Sequence, residues 1–227
     1  MKKSEESSQD RRWTHTAPEK NLQRPDIRYF LKEIRIKETK KYTMNLKNSN
    51  TAGYDKKTSR ILKMGSPIIS ILLTHAINTS IRENKFPETL KIARVLPILK
   101  PDKNKKDPDG YRPISNLHTA EKVFEEHLKV QLMEHLEKNE IIHPNHHGGL
   151  RNKSTQTAKA AIDVALARGY EDDRTCALLC TDLSSCFDTI DHGLLLRKME
   201  FYRIKGKENN IKSSYLENRV QFVQVDV

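Results

Sequence analysis

An α+β fold is what this sequence predicts, on three observations. Apolar residues recur with helical period over long stretches at 66–81, 119–138 and 154–166. Extended apolar or alternating runs stand apart from them, at 92–99, 176–180 and 219–227. The chain has 227 residues, 36% hydrophobic and 31% charged, which leaves room for one ordinary domain with extensions or two small ones. A hydrophobic share this low also implies that part of the chain lies outside any core.

The elements follow in order. Residues 1–49 form a basic arm: positions 1–48 carry a net charge of +6 and little sustained apolar periodicity. They are expected to be loosely ordered, with a short helix through 27–36 and no dedicated role. From Asn50 the text becomes globular. Ser66-Pro67 reads as a cap followed by a proline in the first turn, where a missing N–H costs nothing. Ile68/Ile69, Leu72/Leu73, Ala76/Ile77 and Ile81 then make a wide apolar stripe on a helix that ends before Pro87. Residues 92–99 read as a strand that Pro97 demotes to a sheet edge or a bulge. A Lys-, Asp- and Pro-rich loop, 100–110, leads into a short extended piece, 111–117. The helix at 119–138 is expected to face Val123/Phe124, Leu128, Leu132 and Leu136 inward. After a Gly- and His-rich turn, Ser154 or Thr155 caps a third helix, whose Ala158, Ala161/Ile162 and Ala165/Leu166 suit close packing. Residues 176–180 resemble a strand buried on both faces. Asp191 caps a helix at 193–202, a further helix covers 206–218, and a strand follows at 219–227.

Charge and cysteine usage narrow the function classes. Lys and Arg number 41 against 30 Asp and Glu, a formal charge of +11, which points toward a polyanionic partner, nucleic acid first. No run approaches the roughly 18 apolar residues of a membrane span, and the Lys-rich start lacks a following apolar segment. The chain therefore reads as neither membrane-spanning nor secreted. Cys176, Cys180 and Cys186 are odd in number and crowded, so they make no disulfide framework and fit a reducing, intracellular setting, cytoplasm or nucleus.

Asp182 is the residue where chemistry is expected. A carboxylate at the end of a buried strand is costly unless it is paired or binds a cation. Asp188 and Asp191 follow six and nine positions later. Spacing alone leaves two readings open, a metal site or ordinary turn and helix caps.

Four blocks bear on that choice: Leu99-Lys100-Pro101 with Tyr111-Arg112-Pro113-Ile114-Ser115; His147-Gly148-Gly149-Leu150-Arg151 with Ser154-Thr155; the run from Thr181-Asp182-Leu183 through Phe187-Asp188 to Asp191-His192; and Ser214-Tyr215-Leu216-Glu217-Asn218-Arg219-Val220-Gln221. Together, over roughly 50–227, they resemble a reverse transcriptase of the non-LTR retrotransposon (LINE, Jockey-like) type, in its fingers and N-terminal palm portion only. The resemblance implies a right-hand polymerase fold, with fingers over 50–174 and an incomplete antiparallel palm sheet flanked by helices over 175–227. It implies RNA-directed DNA polymerase activity, a nucleotidyltransferase reaction using two Mg²⁺ ions, dNTPs, an RNA template and a DNA primer. By resemblance, Asp182 is the first palm aspartate, binding metal together with the carbonyl of Leu183. Phe187 is the steric gate against a ribose 2′-OH. Arg112 clamps the incoming triphosphate; Lys100 joins it, with Lys103, Lys105 and Lys106 as alternatives in the same loop. Arg151 contacts template and braces the palm.

The family's second acidic block, Tyr-x-Asp-Asp after a Pro-Gln-Gly segment, does not follow Asp182. Tyr170-Glu171-Asp172-Asp173 spells it, but nine residues too early and at a helix end, so it reads as a polar loop. The expectation is a polymerase fragment, inactive as this chain and only marginally stable because the strand at 219–227 leaves an open sheet edge. A non-catalytic nucleic-acid-binding remnant is the alternative. A metal site built on His143, His146, His147 and a cysteine is a third reading that lacks paired zinc spacing.

Overall fold

The computed structural model describes residues 27–183 and 186–223. Seven α-helices and three strands are assigned among them: α1 (Ile36–Asn45), α2 (Ser59–Met64), α3 (Ser66–Glu83), β1 (Ile92–Leu99), β2 (Tyr111–Asn116), α4 (Thr119–Lys138), α5 (Thr155–Glu171), α6 (His192–Phe201), α7 (Lys207–Leu216) and β3 (Val220–Val223). Helices and a small sheet in one chain bear out the α+β class.

The core lies where α1, α3, α4 and α7 meet. Ile34, Ile77, Phe86, Val123, Phe124, Leu128 and Ile211 are all buried together. Phe86 stacks on Phe124 with ring centroids 4.9 Å apart, and Tyr215 meets Phe86 edge-on at 5.0 Å. Such pairs add to the area they bury. The Phe86 N–H donates to Ser214 Oγ at 3.0 Å, which ties the end of α3 to α7.

Several expectations are corrected. Residues 27–35 form no helix, and the helix starts where it was expected to stop, at Ile36. The backbone of this segment has partners elsewhere: Ile34 donates to Asn78 Oδ1 and accepts from Asn78 Nδ2, while the Lys32 N–H donates to Gln131 Oε1. With its backbone groups satisfied by other side chains, the segment gains nothing by coiling. Tyr29, Ile34, Thr39 and Thr43 are buried, so this part of the expected arm contributes side chains to the packed interior. The rest of that arm, 1–26, lies outside the described residues.

On α3 the buried stripe is not the apolar one. Ser66, Ser70, Thr74, Ile77 and Ser80 face inward, while Ile68, Ile71 and Leu72 are exposed. Thr39 and Thr74 share a hydrogen bond at 2.7 Å, and Thr74 and Thr43 also donate to the carbonyls of Ser70 and Thr39. Small hydroxyls satisfied along their own helix let α1 and α3 approach closely.

The sheet runs β2-β1-β3 and is mixed, not antiparallel throughout: β1 pairs antiparallel with β2 and parallel with β3. Nor is β1 an edge strand. Pro97 sits opposite Pro113, in a register where Lys100 donates to Gly110 at 2.8 Å and hydrogen-bonded pairs fall on alternate positions. The two prolines thus share a non-hydrogen-bonded pair, and β3 pairs only with Ile92–Val95, short of Pro97. A central strand accepts proline where no N–H is required. The strand at 219–227 is found as β3; residues 224–227 lie outside the described residues.

The largest departure is at 176–180. This run is neither a strand nor buried: Leu178 is 58% exposed and Leu179 85%. It has no described strand beside it, and an apolar run becomes a buried strand only with ladder partners and covered faces. The apolar face of α5 likewise has no buried residue. By contrast α4 spans the expected residues, with Val123, Phe124 and Leu128 buried, and α6 is capped by Asp191 as expected. Among the described residues no helix is long and apolar enough to cross a membrane.

Candidate functional site

The β1–β2 hairpin gathers the basic residues expected to act together. Ile98 is paired with Arg112, and Lys100 stands two residues beyond, opposite Gly110. With a period of two, Lys100 and Arg112 lie on the same face as diagonal neighbours, typically about 7–8 Å apart. That face is open: Arg112 is exposed, Ile98 is 52% exposed and Ile114 43%. The loop between the strands is held by its own bonds. Lys100 Nζ donates to the Asp109 carbonyl at 2.8 Å, Tyr111 Oη to Lys105 at 2.9 Å, and the Asp109 N–H to Asp107 Oδ1 at 3.0 Å. A rigid loop next to two cations, one with a guanidinium fork, suits phosphate. Of the loop lysines, Lys100 is the one the register sets beside Arg112.

Arg151 lies exposed in the turn before α5. Gly149 at φ +68° and Asn152 at φ +60° shape that turn. His147 Nδ1 bonds Thr157 Oγ1 at 2.8 Å, and Ser154 forms a capping box with Thr157, so the turn is fastened to the start of α5.

Asp182, Leu183 and Phe187 all lie at the surface. Asp182 is exposed at the end of the uncovered run, Leu183 is 73% exposed and Phe187 88%. Ser184 and Ser185 of this block lie outside the described residues. Asp191 Oδ1 accepts from the Leu194 N–H at 2.7 Å, an ordinary helix cap. Among the described residues no three His, Cys, Asp or Glu side chains come together as metal ligands. That covers Asp182 and the His143, His146, His147 group alike, and the three cysteines are free and exposed. Tyr170-Glu171-Asp172-Asp173 closes α5, with Asp172 as its C-cap beside Arg174 at 3.6 Å.

Sequence reading missed an ion pair. Glu121, on the first turn of α4, has no solvent exposure and accepts from Arg219, just before β3. Arg219 also lies 4.7 Å over the Tyr215 ring, and Tyr215 Oη donates to Glu125 at 2.5 Å. Burial pushes the Glu121 carboxyl up, with Arg219 opposing. A signal was present: Glu121, Phe124, Leu128 and His135 recur at helical spacing on one buried stripe of α4.

Comparison with known proteins bears on the whole of this region. The family model for reverse transcriptase (RNA-dependent DNA polymerase) matches residues 100–226, which takes in the hairpin loop, β2, α4–α7 and β3. The chain belongs to the reverse transcriptase family. Similar proteins include the "Probable RNA-directed DNA polymerase from transposon BS" of Drosophila melanogaster, 28% identical over 86% of this chain and 21% of the relative. The "Probable RNA-directed DNA polymerase from transposon X-element" of the same organism is 28% identical over 76% of this chain and 19% of the relative. The "RNA-directed DNA polymerase from mobile element jockey" of Drosophila funebris is 24% identical over 86% and 22%. The chain thus spans about a fifth of the length of these curated relatives. A reverse transcriptase region of non-LTR mobile-element type agrees with the resemblance carried by the four blocks.

Proposed function

We propose that this chain supplies the nucleotide- and template-binding part of an RNA-directed DNA polymerase, with residues 50–174 as fingers and 175–227 as the N-terminal portion of the palm. The observation that carries the reading is the common face of Lys100 and Arg112 on a fastened hairpin, inside the segment that matches the family. Arg112 grips the triphosphate of a dNTP through its planar fork, and Lys100 adds a point charge beside it. Phe187 is the ring that leaves no space for a 2′-OH. Arg151 holds the RNA template, paired to a DNA primer. Asp182 and the Leu183 carbonyl are ligands for Mg²⁺.

Two Mg²⁺ ions would supply Lewis-acid stabilisation of the attacking and leaving oxygens. The described residues do not fit that pair by themselves, since no group of three or more ligating side chains gathers at Asp182 among them. The 227-residue polypeptide tested alone is therefore expected to incorporate little or no dNTP. Nucleic-acid binding without catalysis is the second reading, favoured by the same observation.

Primer extension on poly(A)–oligo(dT), with binding of that duplex measured across a salt series, tests both. Mg²⁺-dependent incorporation that Asp182→Ala abolishes assigns catalysis to this polypeptide. Salt-steep binding that Arg112→Ala weakens, without incorporation, supports the binding role. Absence of both would overturn the proposal.

A further inference from the structure

A groove of about 1110 Å³ runs between α1, α4, α6 and α7, and none of its lining residues belongs to the hairpin or to the Asp182 run. Its walls are mostly apolar, with Leu128, Leu132, Leu136, Met199 and Leu216 among them. The lining is that of a ligand site, which typically joins apolar walls to a few placed polar groups. Here the polar group is Lys212, only 8% exposed, lining the groove and without a hydrogen bond or ion pair among the described residues. A cation on a side chain this largely buried, without a counter-charge, is costly unless something supplies one.

The charges around it have one sign in excess. Lys41, Lys122, Lys129 and Lys198 also line the groove, against Glu125 and Glu126. Both glutamates are engaged: Glu125 accepts from Tyr215 Oη, and Glu126 stands 3.8 Å from Lys129 Nζ. Neither serves Lys212. His127, the buried neighbour whose ring feels the Lys212 charge, is a base like it and offers no counter-ion. Desolvation also lowers Lys212 to about 8.

We propose that this groove binds a small amphiphile with an apolar chain and one carboxylate, the chain lying along α4 and the carboxylate pairing with Lys212. The site is independent of the polymerase reading, for it uses none of the residues proposed to act on nucleotide or template.

Decanoate and uncharged decanol, titrated calorimetrically into the 227-residue chain, test it without any variant. Decanoate is expected to bind more tightly than decanol by roughly tenfold or more, the size of a charge-assisted hydrogen bond. Lys212→Met should remove that difference and leave decanol binding unchanged, while Leu132→Trp should weaken both by filling the groove. Equal affinity for the two probes, or no binding of decanoate, would overturn the proposal. So would an acidic amphipathic helical peptide that binds through Lys212 where decanoate does not.

Discussion

Arg219, at the threshold of β3, donates to a carboxylate oxygen of Glu121, a side chain with no solvent exposure on the first turn of α4. These residues are 98 positions apart, and their bond anchors the parallel strand to the helix that follows β2. The other oxygen, Glu121 Oε2, is buried with no partner among the described residues. Arg219 is therefore the main support of a buried charge.

Arg219→Ala is expected to destabilise the chain by roughly 2–3 kcal/mol, on the low side for a broken buried pair because Arg219 is itself 26% exposed. Burial already raises the Glu121 pKa, and losing Arg219 removes the opposing influence. A carboxyl whose folded pKa is raised contributes most at low pH and loses that contribution as pH rises through the folded value. The variant's deficit in chemical denaturation should therefore be larger near neutrality and shrink as the pH is lowered and the carboxyl takes up its proton. A pH-independent deficit would count against the pairing.

Lys212→Met should stabilise the chain at neutral pH. Burial holds the Lys212 pKa at about 8, below its ordinary 10.5, so unfolding takes up a proton and the folded state loses stability as pH falls toward 8. The cost of the native lysine at pH 7 is on the order of 3 kcal/mol, one pKa unit being worth about 1.4. Thermal melts of both proteins from pH 7 to 10.5 should converge as pH rises. Parallel curves would show that Lys212 is not desolvated.

Core and periphery should respond unequally to the same kind of truncation. Phe124→Ala removes a ring that is 1% exposed and stacked on Phe86, and should cost roughly 3–5 kcal/mol. Ile162→Ala, on the uncovered face of α5 where Ile162 is 40% exposed, should change the melting midpoint little. A comparable loss from the two would mean that α5 is packed in solution.

Replacing Arg112 or Lys100 by alanine should weaken nucleic-acid binding across sequences and lower the dependence of log K on log salt by about one each. Arg112→Lys should restore the charge but not the two-pronged grip. Filter binding of poly(A)–oligo(dT) at several salt concentrations reads both effects, with the melting midpoint as the control for folding.

Local signals carried far into this fold. Pro67 in the first turn of α3, the period of α4, the Ser154 cap and the Asp191 cap all depend on neighbours within a turn or two, and each stands where those neighbours put it, although Gly65 and not Ser66 is the N-cap of α3. The same is true of the Lys100–Gly110 loop, whose ends are set by the two strands it joins. Family membership was legible too, because blocks kept in order survive as sequence whatever their surroundings.

Which face of an element turns inward was legible on α4 but not on α3 or α5. On α3 the hydroxyl stripe won over the isoleucines because α1 brought Thr39 and Thr43 against it, a fact of partner and distance. The run at 176–180 and the face of α5 carry strand and packing signals, yet no described element covers them. Burial is a property of two surfaces, and one sequence segment specifies only one of them. Composition, periodicity and block order thus determined that this is an α+β chain of the reverse transcriptase family with Lys100 and Arg112 as neighbours in its text. Only the tertiary structure decided that those two share a face, that β3 runs parallel to β1, that Arg219 supports Glu121, and that Lys212 faces an apolar groove, because each depends on long-range pairing that short-range spacing does not encode.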